Sequence, residues 1–270
     1  MAKEGSRSAN PWWGRFEIPD GRAGRWRIGP LKLSAVWRRP EWQIAFDHDR
    51  ERADDAEAEA LCPADAGEGE EEGEVKRVVT SGGAGVVWLA PVMADRPIVA
   101  RPETAFQVLP EARIDLFVST PVWVRAAVGE PGQEILDAAS WPLSDTWFGP
   151  STIHGELCYA VTTSARLHFE NLKLAAYRAV TLVRLENRSA EIVALERLNL
   201  PAPHLSLYAD AGANLWTQTV SVKLTSGGSL VEVDLGKGPP EIAPDPRLVS
   251  GPRAEVQRNV LTRVRHALFF

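Results

Sequence analysis

A chain of 270 residues, 44% hydrophobic and 24% charged, has the balance of an ordinary globular protein and enough length to bury a large core. No run approaches the roughly 20 apolar residues of a membrane-spanning helix. Residues 1–10 are polar with no apolar signal segment behind them, and two cysteines, Cys62 and Cys158, do not make a disulfide scaffold. The expectation is a cytoplasmic protein without a membrane span.

The net charge of −6 is unevenly placed. Ten acids and no base lie between Asp54 and Glu74, which leaves 26 acids against 30 bases elsewhere. Bases spread thinly over a large body are not the clustered footprint of a nucleic-acid binder. The acidic stretch, rich in Ala, Gly and Glu, is poor in the side chains that offset ordering entropy. It reads as a disordered insertion over 54–75, between an N-terminal β-hairpin region (1–53) packing on the main body and the body itself (76–270).

In chain order, Leu31, Leu33, Ala35 and Trp37 alternate onto one face. Beyond Arg38-Arg39-Pro40-Glu41, Trp42, Ile44 and Phe46 do the same, predicting a hairpin with one packed face. Ile114, Leu116 and Val118 continue the pattern, and Pro121-Val122-Trp123-Val124 predicts the next strand. Trp123 and Trp147, set among apolar neighbours, are expected in the core. Residues 179–185 and 192–200 flank a polar turn and read as a second hairpin. Residues 219–225 and 229–235 around Ser226-Gly227-Gly228 read as a third. From Pro252, the spacing of Val256, Val260, Leu261, Val264 and Leu268 predicts a C-terminal helix. The class is all-β, an antiparallel β-sandwich with that helix added.

Chemistry-bearing residues are densest between Trp141 and Tyr159. As a strand, residues 154–161 would place His154, Glu156 and Cys158 on one face and Leu157, Tyr159 and Val161 on the core side. Imidazole, carboxylate and thiol together suit a divalent metal or a nucleophilic thiol, with Asp145 as a third ligand if the chain folds back. Against this, a metal needs three or four convergent ligands, and a solvated outer face commonly carries His and Glu. The cupin metal motif fails, since a second His is wanted where Glu156 stands. Asp47-His48-Asp49 alternates across a strand and cannot converge on one ion. No nucleophile elbow or phosphate loop is present, so neither a catalytic residue nor a cofactor is assigned. Ten Trp against three Tyr is the remaining excess, and Trp12, Trp13 and Trp141 lie outside clean alternation as candidates for a ligand-binding surface.

Pro97-Ile98-Val99-Ala100-Arg101-Pro102-Glu103, Ser119-Thr120-Pro121-Val122-Trp123-Val124 and Leu143-Ser144-Asp145-Thr146-Trp147-Phe148-Gly149 resemble a prokaryotic domain-of-unknown-function family, family four hundred and thirty-two. Gly155-Glu156-Leu157-Cys158-Tyr159, Leu215-Trp216-Thr217 and Gly236-Lys237-Gly238-Pro239-Pro240 fit the same pattern. The resemblance covers about residues 13–270, implies no activity, and implies that residues 54–74 are a local embellishment. The function expected from the sequence is therefore a non-catalytic cytoplasmic binding or assembly module acting through protein contacts or self-association. A carbohydrate or small-ligand module using exposed Trp, and a metal-dependent enzyme centred on His154 and Glu156, stand behind it.

Overall fold

The computed structural model describes residues 11–49, 58–65, 73–80, 85–102, 104–130, 132–149, 153, 155–163, 166–225 and 231–255. Among these residues the regular structure is strand apart from two single 3-10 turns, and the chain is all-β with mostly antiparallel pairing.

The strand β1 (Gly14–Glu17) pairs with β7 (Val86–Val92), which continues through β11 (Trp123–Val128) to β12 (Gln133–Ala139). Between β1 and β7 the chain builds a separate antiparallel sheet. It contains β2 (Arg22–Ile28), β3 (Leu31–Arg38), β4 (Glu41–His48), β5 (Ala58–Asp65) and β6 (Glu74–Val79), ordered β5-β2-β3-β4-β6. The β3–β4 hairpin forms as the alternation predicts. Leu31, Leu33, Ala35, Trp37, Trp42 and Ile44 are all buried. Trp37 and Trp42 face each other across the strands with ring centroids 4.8 Å apart.

The acidic stretch departs from its expected disorder. Residues 58–65 form a strand on β2, and Glu74 opens β6 on β4. Its composition is too polar for a core of its own, but an open sheet edge offers a row of unpaired N–H and C=O groups, and pairing with them needs no large side chain. Ala58 also packs against the core. The other acidic residues, 54–57 and 66–72, lie outside the described residues.

A third sheet contains β10 (Arg113–Pro121), β15 (Arg178–Asn187), β18 (Leu207–Ala209), β19 (Leu215–Trp216), β20 (Val220–Leu224), β21 (Val231–Leu235) and β22 (Arg247–Ser250). Its β20–β21 hairpin is the one expected there. A fourth sheet, ordered β13-β14-β8-β17, joins β13 (Ser144–Phe148), β14 (Glu156–Thr163), β8 (Ile98–Pro102) and β17 (Leu198–Leu200). A two-stranded pair, β9 (Phe106–Val108) with β16 (Val193–Leu195), completes the set.

The expected hairpin over 179–200 is not formed. β15 pairs with β10, β19 and β20, whereas β16 and β17 join other sheets. The cause is Asn187, fully buried at the end of β15. Its amide donates to Val108 O (2.9 Å) and Glu191 O (2.8 Å), and its Oδ1 accepts from the backbone N–H (3.0 Å) and hydroxyl (2.7 Å) of Ser189. A side chain that supplies the turn's hydrogen bonds sends the chain into another sheet instead of back along β15.

One continuous buried cluster holds these sheets together. It takes in Trp26, Trp37 and Trp42 from the β2–β6 sheet, Leu89 and Val124 beside them, and Ile98, Val183 and Val222 from the rest. Toward the end, Ser250 Oγ donates to Pro91 O (2.7 Å) and Ala254 N–H to Pro203 O (3.0 Å). The Arg253 guanidinium donates to both Asp137 oxygens and to Met93 O. Residues 252–255 make no helical turn, so the expected C-terminal helix does not start at Pro252, and residues 256–270 lie outside the described residues. No helix among the described residues is long and apolar enough to cross a membrane.

Candidate interaction surface

The metal reading is tested first by register. In the β13–β14 ladder Asp145 lies opposite Tyr159 and Phe148 opposite Glu156. Asp145 and Glu156 are thus three positions apart, about 10 Å at roughly 3.3 Å per residue, and point to opposite faces. Each carboxylate is engaged elsewhere. Asp145 Oδ1 pairs with Arg96 (3.3 Å), and Glu156 Oε1 accepts from Asn199 Nδ2 (2.7 Å). His154 lies outside the described residues, among which no three His, Cys, Asp or Glu side chains gather. His48 Nε2 is 2.8 Å from Ala139 O, and Asp49 pairs with Lys32 at 3.2 Å.

Cys158 corrects the expected division of faces on β14. It is fully buried against Val99 and Phe148, while Leu157, expected in the core, is 42% exposed. The outer face is covered at this point by Phe148, over which Arg197 lies at 5.7 Å. Burial, and then the Glu156 charge, push the Cys158 thiol up to about 12, the opposite of what a nucleophile needs. Native protein treated with iodoacetamide at pH 8 should leave the Cys158 peptide unmodified by mass spectrometry, with full modification only in denaturant. Rapid native labelling at that peptide would contradict this placement.

The three Trp residues singled out as a ligand surface differ in exposure. Trp12 is buried, and its indole N–H donates to Ala176 O (2.9 Å). Trp13 meets Trp12 edge-on at 5.4 Å, and Trp141 lies nearly parallel to Tyr177 at 6.4 Å. Tyr177 O in turn accepts from Val122 N–H and Ser140 Oγ, both at 3.0 Å. Trp12 is thus a clamp on the segment leading into β15, not a platform. Trp13 and Trp141 stay half-buried beside it.

The exposed aromatics lie elsewhere, one being Trp88 on β7, under Arg15, and another on β13. Adjacent residues on a strand face opposite ways, so only one of Trp147 and Phe148 can enter the core. Phe148 does, and Trp147, expected there too, is 40% exposed. Trp147 stands directly across the ladder from Leu157, so two large apolar side chains adjoin on one face. Ile153, in the connection between the strands, is also exposed. Among the described residues β13 pairs only with β14, which makes it a sheet edge. Gly155 is required here, because a Cβ would lie 2.6 Å from the Phe148 backbone oxygen as well as 2.2 Å from Trp147 Nε1. Farther along the same face Tyr159 donates to Asp95 (2.9 Å) and packs on Trp123 at 5.1 Å, with Arg96 over its ring at 5.2 Å. Burial, and then the hydrogen bond to Asp95, raise the Tyr159 phenol to about 12, so it is a neutral donor. The adjacency of two aromatics in an alternating strand was the signal in the sequence that one of them faces out.

Comparison with curated proteins and with solved structures gave no match. A family model described as "Protein of unknown function (DUF432)" matches residues 12–269, nearly the whole chain. The chain therefore belongs to the DUF432 family, as the resemblance of its central segments implied.

Proposed function

We propose that the protein is a non-catalytic, cytoplasmic binding module that acts through protein contacts, with the Trp147–Leu157 face of the β13–β14 hairpin as its contact surface on a scaffold read as a β-sandwich. The observation that carries the reading is the cross-strand pair Trp147–Leu157, exposed on a sheet edge. Trp is the residue type most enriched where interfaces concentrate their energy, and an edge strand adds backbone groups that a partner strand can use. Trp88 on β7 is equally exposed at 40%, but Arg15 lies over its ring at 5.8 Å, and other exposed apolar residues, such as Leu109, Ile192 and Leu248, are aliphatic. The half-buried Trp13 and Trp141 favour a small-ligand reading less, because their indoles pack on Trp12 and Tyr177.

Replacing Trp147 and Leu157 together by Ser should change stability far less than a buried Trp truncation. The tagged wild type in fresh cell extract should sediment heavier than its own 29.6 kDa, and the double variant should move to the monomer position. Identical sedimentation of the two proteins would overturn the proposal.

A further inference from the structure

The third sheet ends on β21, which pairs with β20 and with no other strand among the described residues. Two bonds of β20 fix which way the backbone of β21 faces. Gly236 N–H donates to Thr219 O (2.9 Å), and on the other side of β20 Arg188 N–H donates to Leu224 O (2.7 Å). Bonding alternates along an antiparallel pair, so Glu232 and Asp234 turn their N–H and C=O groups toward β20. Those of Val231, Val233 and Leu235 turn outward, and none of them has a partner among the described residues. The edge is firmly seated, because Val233 is buried in the main cluster and Leu235 packs against it.

The side chains of this edge select its occupant. Glu232 and Asp234 are both exposed on one face, and among the described residues only Glu232 has a base on it, Lys223 at 3.2 Å. A second copy added antiparallel, with the same outward groups bonded, sets acid against acid in every register. Glu232 meets Asp234 when Val233 lies on the two-fold axis, and each acid meets itself when the axis moves by one residue. Toward an added strand these two positions are the non-hydrogen-bonded ones, where opposed Cα atoms are only about 4.5 Å apart. Like charges directly opposite are destabilising there, whereas a base opposite each acid is favourable.

We infer that β21 is a second docking site, which takes up as an added strand an extended segment of another protein with Lys or Arg at alternate positions. The bases meet Glu232 and Asp234, and the residues between them complete the ladder to Val231, Val233 and Leu235. Backbone bonds supply affinity in such strand addition, and the alternate side chains supply the choice of partner. The site lies in a different sheet from the Trp147–Leu157 face and does not depend on it.

The test measures fluorescence polarisation of a labelled Thr-Lys-Val-Lys-Val-Lys-Thr peptide titrated with the full chain. Saturable binding is expected, and it should weaken at least about tenfold when the three Lys are replaced by Glu. The same loss is expected when both Val nitrogens of the peptide are methylated, which keeps every charge but removes ladder donors. Replacing Glu232 and Asp234 together by Lys should transfer the preference to the Glu peptide. Absence of saturable binding by the Lys peptide overturns the inference. So does equal binding of the methylated peptide, which would mean attraction between charges without strand addition. Benzoylphenylalanine at position 234 of the purified chain should give no adduct joining two copies at residues 231–235. Such an adduct would assign the edge to a second copy and overturn the inference as well.

Discussion

Replacing Trp42 with alanine is expected to lower the free energy of unfolding by about 3–5 kcal/mol, the range found when a buried large aromatic is truncated. Trp42 has no exposed surface and packs on Trp37 within the cluster that also contains Leu89 and Val124 of the neighbouring sheet. The cavity would therefore open where the β2–β6 sheet meets the body. The backbone is closely packed beside Trp37, since a Cβ at Gly85 would lie 2.0 Å from Ile18 O and 2.6 Å from Trp37 Cδ1. Urea denaturation of both proteins, compared by midpoint at equal slope, reads the effect. Trp123, 5% exposed and packed on Tyr159, belongs in the same range. A loss below about 1 kcal/mol at Trp42 would mean that the sheet contributes little through this contact.

Asn187→Ala is expected to cost roughly 2–4 kcal/mol, because it strands several groups at once. Val108 O loses the Asn187 donor and the Ser189 N–H loses its acceptor, while Glu191 O and the Ser189 hydroxyl are left only with each other at 3.1 Å. Each buried polar group left without a partner costs about 1–3 kcal/mol, less whatever relaxation and water recover. Asn187→Asp keeps the acceptor for Ser189 but aims a carboxylate at two carbonyl oxygens, so it should be no milder. Thermal unfolding followed by circular dichroism tests both variants. Near-native melting of either would show that the chain's crossing between sheets does not depend on this side chain.

These two positions mark what the sequence made legible and what it hid. Period-two alternation predicted the β3–β4 hairpin residue by residue, because one face of that sheet is buried and burial enforces the pattern. The same logic located the strands at 113–121, 123–128, 220–224 and 231–235. It did not show where the strand after Asn187 would pair, because partner choice depends on a buried amide contacting Val108, 79 positions away. Nor did composition reveal the strand at 58–65, whose ladder bonds to β2 come from backbone rather than side chains.

On β14 alternation placed Tyr159 and Val161 on the core side and Glu156 outward as observed, but failed at Cys158 and Leu157. Which face is covered depends on how far neighbouring strands extend, so Cys158 is enclosed and Leu157 overhangs. The candidate contact surface was hidden for that same reason. Asp145 and Glu156 were within the suspected region, but only the register shows them on opposite faces, each already held by its own partner.

The most direct measurement is photo-crosslinking in living cells from benzoylphenylalanine at Leu157, with Leu248 as the control. Leu248 is 63% exposed and lies on β22, in a different sheet. A hairpin that contacts another protein should give a discrete covalent adduct heavier than the chain from position 157 and none from 248. Equal yields from both positions, or no heavier adduct from 157, would contradict the assignment of the β13–β14 hairpin as the contact surface.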